Sequence, residues 1–217
     1  MGLKACIFDL DGVIVDTAKY HYLAWKKLAT MLNINFTEVD NERLKGVSRM
    51  ASLDIILEIG SMVPDDKTKE EYAALKNKWY LDYINRMMPD EILPGSLEFI
   101  SELKNAGIKV ALGSASKNTP LILERLGIGK LFDAVADGNV VSKAKPDPEV
   151  FITAAKLLGV QPEDCVVFED AVAGVEAALN AGMRCVGIGS EKILKDAHFV
   201  VSGLDKMSLR KLKVSAK

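Results

Sequence analysis

Cysteine is scarce in this chain, with three in 217 residues at Cys6, Cys165 and Cys185, odd in number and far apart. That pattern excludes a disulfide framework. Each cysteine lies in a short apolar run, so the expectation is three buried, reduced thiols. An excess of charge of either sign is also lacking: 28 Lys+Arg against 30 Asp+Glu leave a formal net charge of -2. This argues against a nucleic-acid partner, because phosphate-backbone binding shows as a basic excess on one face. No apolar stretch approaches the ~18–20 residues of a membrane span, so no membrane partner is expected. The opening Met1-Gly2-Leu3-Lys4 meets Asp9 too soon for a signal-peptide apolar region of about 7–15 residues, which leads to the expectation of a cytoplasmic protein. With 49% hydrophobic and 27% charged residues, disorder is excluded. The length suits one large domain or a main domain with a small partner, at roughly 100–150 residues per domain. Nothing in the sequence calls for more than a monomer.

What the chain does contain is a series of short apolar runs, at 5–8, 108–112, 165–168 and 185–188, with a weaker fifth at 199–201. They alternate with amphipathic stretches, the sequence form of a parallel sheet with crossover helices. The stretch 97–104 carries helical spacing and stops at Asn105-Ala106-Gly107, and 171–180 stops at Ala181-Gly182, both glycine helix exits. Residues 16–88 read differently. No strand-like run occurs there, and helical spacing predicts helices over 18–32, 50–59 and 67–87. Proline-containing segments at Met88-Pro89-Asp90 and Leu93-Pro94-Gly95 mark the return to the α/β pattern. The expected architecture is therefore an α/β core of residues 1–15 and 89–217 with a helical cap of residues 16–88 inserted after the first strand. The basic segment 206–217 reads as a solvated helix face.

Ligands in an open parallel sheet bind beyond the carboxyl ends of the strands. The residues there are Asp9-Leu10-Asp11-Gly12, Gly113-Ser114-Ala115-Ser116 and Glu169-Asp170. A lone strand-end aspartate commonly serves as a helix N-cap. Asp9 and Asp11, two apart, can project to the same side, and Asp170 reaches the same edge from another strand. Carboxylates so close need a cation, and an all-oxygen cluster suits Mg2+. A carboxylate beside Mg2+ can attack phosphorus to give an aspartyl-phosphate, with the second carboxylate as acid and base. Ser114 offers a hydroxyl for the non-bridging oxygens and Lys145, in Lys145-Pro146-Asp147-Pro148-Glu149, a positive charge.

Asp9-Leu10-Asp11-Gly12-Val13, Ser114, Lys145-Pro146-Asp147-Pro148 and Glu169-Asp170 resemble, in order and over nearly the whole chain, the four signature motifs of the haloacid dehalogenase-like superfamily. The resemblance implies a Rossmann-like core, Asp9 as nucleophile, and Asp11 as acid/base. It also implies Mg2+ held by Asp9, Asp170 and the Asp11 backbone carbonyl, with Glu169 close by. Dehalogenation of carbon needs neither metal nor second aspartate, so Asp11 and Asp170 count against it.

Asp16-Thr17-Ala18-Lys19-Tyr20-His21, Trp25-Lys26, Leu44-Lys45-Gly46-Val47-Ser48-Arg49, Lys76-Asn77 and Ser114-Ala115-Ser116-Lys117-Asn118 resemble the β-phosphoglucomutase family from residue 4 to about 189. That resemblance implies that Arg49 grips the phosphate that is not reacting, assisted by Ser116 and Asn118. It implies that His21 and Lys76 handle substrate and couple closure to placement of the acid/base aspartate. The candidate binding set is completed by Lys45, Gly46, Val47, Ser52, Ala115 and Trp25, although Trp25, like Tyr20 and Tyr22, reads by itself as a packing or rim residue. The implied reaction interconverts β-glucose 1-phosphate and glucose 6-phosphate through a 1,6-bisphosphate, with glucose 1,6-bisphosphate as primer. The alternative is a Mg2+-dependent sugar-phosphate phosphatase on the same core. A non-catalytic binder is disfavoured because Asp9, Asp11, Lys145 and Asp170 are all present. Ala171, where serine is common, and Gly113, where alanine is frequent, depart from the family pattern without touching the chemistry.

Overall fold

Every residue of the first strand, β1 (Ala5–Phe8), is buried, so this apolar run needs protein on both faces. A computed structural model, which describes residues 2–214, supplies both. The other strands are β2 (Lys109–Gly113), β3 (Ala134–Ala136), β4 (Cys165–Glu169), β5 (Arg184–Ile188) and β6 (Phe199–Val201). They form one parallel sheet in the order β3-β2-β1-β4-β5-β6. β1 is central, with Phe8 beside Leu112 on one side and Phe168 on the other. Because side chains alternate along a strand, Cys6 and Phe8 face one layer and Ala5 and Ile7 the other.

The first layer holds α5 (Ser96–Asn105), α6 (Thr119–Leu126) and α9 (Leu209–Val214), with Phe99, Ile122 and Leu212 packed in the same apolar cluster as Phe8 and Phe168. The Phe8 and Phe168 rings stack at 4.6 Å, and Phe99 meets them edge-on at 6.1 and 5.4 Å. The second layer holds α7 (Glu149–Leu158) and α8 (Val172–Asn180), whose Phe151, Ala154, Val175 and Ala178 pack with Ile7, Ala111 and Val167. Between β1 and β2 the chain forms α1 (Ala18–Met31), α2 (Glu38–Asn41), α3 (Arg49–Ile59) and α4 (Asp66–Ile84). These helices have a cluster of their own, around Trp25, Leu28, Phe36, Leu53 and Ile56. The two ends of this helical insertion are joined by a backbone bridge between Val15 and Ile92 and by the Asp16 N–H donating to the Glu91 carbonyl at 3.3 Å.

The five expected strands are present within a residue or so of their expected limits. β3 was not foreseen, since three residues of Ala-Val-Ala give little apolar signal; neither were α6 and α7, which carry β2 to β3 and β3 to β4. The helix expected over 67–87 stops at Ile84, where Asn85 and Arg86 close the last turn through N–H donation to the Leu81 and Tyr83 carbonyls. The basic C-terminal segment presents the expected solvated face, with Lys206, Arg210 and Lys211 exposed, while Leu212, 1% exposed, anchors α9 on the core. The last three residues of that expected segment, 215–217, lie outside the described residues. All three cysteines are free and buried, as expected. Among the described residues no helix is long and apolar enough to cross a membrane.

The stacked phenylalanines make the sheet's central contact, so Phe168→Ala should cost about 3–5 kcal/mol of stability. Leu97→Ala, at a side chain 42% exposed, should stay within about 0.5 kcal/mol of the parent. Urea denaturation followed by circular dichroism separates the two.

Candidate active site

The carboxyl ends of β1, β2 and β4 release Asp9, Ser114 and Asp170 side by side, under the helical insertion. Between them lies a cavity of about 630 Å³. Asp9, Asp11, Asp170, Ala115, Ser116 and Asn118 line it from the sheet side, and His21, Trp25, Lys45, Gly46, Val47, Arg49, Ser52 and Lys76 from the helical side. Every expected binding residue is therefore brought to one space. Lys145, Glu169 and Ser114 stand behind its lining.

The floor is an ion chain. The Lys145 ammonium donates to Asp9 Oδ1 at 2.5 Å and to Glu169 Oε2 at 2.8 Å, with all three side chains buried. Burial by itself would lower the Lys145 pKa, but the two carboxylates outweigh it and hold the lysine above its ordinary value. Burial and the Asp9 charge push Glu169 up to about 7, opposed by Lys145. Its other oxygen, Oε1, accepts the N–H groups of Asp170 at 3.2 Å and Ala171 at 3.0 Å, so both Glu169 oxygens are engaged.

Asp9, Glu169 and Asp170 each place a carboxylate oxygen within 4.8 Å of the others. Burial, then the charges of Glu169 and Asp9, push Asp170 well above the ordinary carboxylate range. A set of hard oxygen donors that mutual repulsion keeps from ionising together fits a divalent cation such as Mg2+. Gly12 makes the approach possible: its φ is +77°, and a Cβ there would stand 2.2 Å from Asp170 Oδ2. Only glycine serves at that position. The Asp11 carboxylate does not join the cluster, where the expectation had involved only its backbone carbonyl. It accepts a hydrogen bond from the Thr17 hydroxyl and lies 4.0 Å from His21 Nε2. Burial and the charge of Asp9 push it up to about 7, where it can both give and take a proton near neutrality.

On the β2 side the loop is built from serine turns. Ser114 Oγ accepts the Ser116 N–H and Ser116 Oγ accepts the Asn118 N–H, each at 3.1 Å. The Asn118 amide donates to Asn77 Oδ1 on α4 at 2.9 Å, tying the sheet side to the insertion. On the helical side, Ser48 caps α3 by accepting the Ala51 N–H at 3.2 Å, which sets Arg49 at the helix start, half-buried. Gly46, at φ +73°, brings its backbone against Ala171, whose Cβ would be 3.0 Å from any side chain there. Lys45 is held by Glu42 at 3.0 Å. Ser52 is 3% exposed at the wall. Trp25 does both things weighed for it: it belongs to the core of the insertion and lines the cavity.

Lys76, 1% exposed, lies 4.6 Å over each of the Trp25 and Tyr80 rings and 2.9 Å from His21 Nδ1. Burial, with Arg49 nearby, pushes it down to about 7. The same burial and the charges of Lys76 and Arg49 hold His21 far below its ordinary range, so its imidazole is neutral.

Thr17 and Tyr80 were not singled out in the sequence, nor was the loop 138–144, from which Gly138, Val141, Ser142, Lys143 and Ala144 line the cavity. Thr17 stood within a recognisable string beside His21. The loop had no signal, because the short β3 that delivers it had none.

Compared with known proteins, the chain matches a family model described as haloacid dehalogenase-like hydrolase over residues 3–182. It is 44% identical over 212 residues to a β-phosphoglucomutase of Bacillus subtilis, covering 97% of this chain and 94% of that one. It is 32% identical over 185 residues to a phosphorylated carbohydrates phosphatase of Thermotoga maritima, covering 84% and 83%. Among solved structures, β-phosphoglucomutase from Clostridium difficile superposes with a TM-score of 0.94 at 42% identity, covering 99% of this chain and 97% of that one.

The depressed pKa of Lys76 has a sign that can be read in stability. The folded protein binds fewer protons than the unfolded chain between about 7 and the ordinary 10.5, so this residue makes stability rise with pH across that window and withholds it below. Lys76→Met should flatten the rise, measured as the urea midpoint from neutral to alkaline pH in the two proteins.

Proposed function

The chain belongs to the haloacid dehalogenase-like hydrolase family, and on that premise we propose that it is a β-phosphoglucomutase, interconverting β-D-glucose 1-phosphate and glucose 6-phosphate. The observation that carries the reading is a single cavity with two places for phosphate: the Asp9–Lys145 floor on the sheet side and Arg49 in the opposite, helical wall, with Ser116 and Asn118 assisting from the sheet side. Whole-length likeness to β-phosphoglucomutases at 44% and 42% identity supports the choice of sugar. A mutase must hold a bisphosphate in two orientations, so it needs a reactive seat and a passive one of comparable strength. A guanidinium suits the passive seat because it binds phosphate bidentately.

Asp9 is the nucleophile. Lys145 holds its Oδ1 and leaves the other oxygen for phosphorus. As the P–O bond to Asp9 forms, the bond to the sugar oxygen breaks and Asp11 gives that oxygen its proton. In the second half Asp11 takes the proton of the incoming hydroxyl, which accepts the phosphoryl group and frees Asp9. Thr17 and His21 place the Asp11 carboxyl for both transfers. Asp9 and Asp170, with Glu169 beside them, would hold Mg2+, which would supply positive charge for the phosphoryl oxygens. Residues 16–88 act as a cap whose closure completes the site only when sugar phosphate is bound and so keeps water from the aspartyl-phosphate. Glucose 1,6-bisphosphate primes the cycle, and the free buried thiols suit a reducing, cytoplasmic compartment. A sugar-phosphate phosphatase is the second reading, favoured by the likeness to the Thermotoga maritima enzyme.

In ³¹P NMR with Mg2+, β-glucose 1-phosphate and a trace of glucose 1,6-bisphosphate, the mutase should yield glucose 6-phosphate with little inorganic phosphate. Dominant release of inorganic phosphate would instead make the protein a phosphatase. Asp9→Asn should abolish phospho-enzyme formation, seen as loss of the phosphoryl mass on the intact protein. Arg49→Ala should lower mutase turnover by about 10- to 100-fold, the worth of one charge-assisted anion contact, while hydrolysis of acetyl phosphate changes far less.

A further inference from the structure

Two lysines are buried among the described residues, Lys145 and Lys76, and their settings are opposite. Lys145 is neutralised by two carboxylates. Lys76 has no ion pair among the described residues; its polar partner is a neutral imidazole and its other neighbours are the faces of Trp25 and Tyr80. Arg49 faces it with like charge, and Asp11 is the one carboxylate that opposes. An ammonium so placed gives up its proton near neutrality, which leaves an amine lone pair in a cavity that also holds a half-buried guanidinium.

We propose that Lys76 is a covalent capture site for phosphorylated aldehydes, forming an imine through Nζ while the phosphate of the ligand sits against Arg49. The Nζ lone pair forms a C–N bond to the aldehyde carbon, and the carbonyl oxygen takes up a proton. The carbinolamine then loses that oxygen as water and leaves C=N, with no electron donor or acceptor required. Of the two amine protons, one passes to the carbonyl oxygen and the second to the departing hydroxyl, while His21 Nδ1, 2.9 Å from Nζ, accepts a hydrogen bond from the amine and so orients its lone pair. The aromatic walls exclude the bulk water that would hydrolyse the imine. Open-chain aldose phosphates carry both required groups. In the function proposed above, on which this consequence rests, glucose 6-phosphate is the sugar phosphate with a free anomeric carbon, and capture of its open-chain form would block the cavity reversibly.

Pyridoxal 5′-phosphate is the probe. The protein is incubated with it near neutral pH, reduced with borohydride, digested and mapped by mass spectrometry. Near neutrality the free-base fraction of such a lysine exceeds that of an ordinary one by on the order of 10³-fold, so Lys76 should be labelled at least about 10-fold faster than any exposed lysine. Pyridoxal, which lacks the phosphate, should label it about 10-fold more slowly, and inorganic phosphate should slow the reaction of the phosphorylated probe. Labelling confined to exposed lysines would overturn the proposal, as would equal labelling of Lys76 by pyridoxal. The readout is a mass on one residue of the unmodified chain. A protein that released only inorganic phosphate from β-glucose 1-phosphate, yet was labelled at Lys76, would refute the mutase and leave the capture site standing.

Discussion

Lys145 bonded at once to Asp9 and Glu169 is the interaction on which the site depends. Three buried ionic groups are costly to place in a protein interior unless each is answered, and removing one partner of such a set leaves an uncompensated charge worth roughly 3–5 kcal/mol. Here the answering groups come from the residue after β1, the loop before α7, and β4. The sheet is consequently assembled around its own chemistry: pairing of β1 with β4 puts Asp9 next to Glu169, and the loop must deliver Lys145 for the pairing to be tolerable. Asp9 cannot be nudged without disturbing both strands, which is the rigidity required of the nucleophile proposed above.

Above that rigid floor the helical insertion is built on a different balance. Its contacts with the sheet side combine an apolar seam, where Tyr80, Ile84 and Met87 join the cluster that holds Phe8, with polar or small ones: Asn118 with Asn77, Gly46 against Ala171, and the imidazole of His21 at the edge of Asp11. Like-charged Arg49 and Lys76 share one wall, and the neutral state of His21 and the lowered affinity of Lys76 for its proton follow first from burial and then from this crowding. An anion entering between the walls relieves this repulsion, so the cap side is poised toward phosphate by its own electrostatics.

Much of this was legible in the sequence because the strands of a doubly covered sheet read as unbroken apolar runs, and the residues that follow them are constrained in type. Asp9, Asp11, Ser114 and Asp170 are found from that rule, and residues of the insertion such as Arg49 and Lys76 from likeness to a family. The parts that were missed share a physical cause. β3 has three small residues at a sheet edge and little to bury, so the loop after it, which contributes a wall of the cavity, had no anchor in the sequence. The contribution of Thr17 is a single hydroxyl aimed at Asp11, a matter of orientation that no spacing encodes. Leu212 docks through one side chain of a basic segment, too sparse a pattern to outweigh its charges.

The backbone bridge between Val15 and Ile92 means that the two ends of the helical insertion lie side by side. Topologically, the insertion is a closed loop hung from one point of a complete sheet. Its length is nearly free of consequence for strand order, since loop-closure entropy grows only as the logarithm of loop size. A lineage could lengthen, shorten or exchange that segment while the pairing of β1 with its neighbours, and the ion chain beneath it, stayed as they are. The reactive floor and the part that selects what reaches it can therefore change independently in evolution.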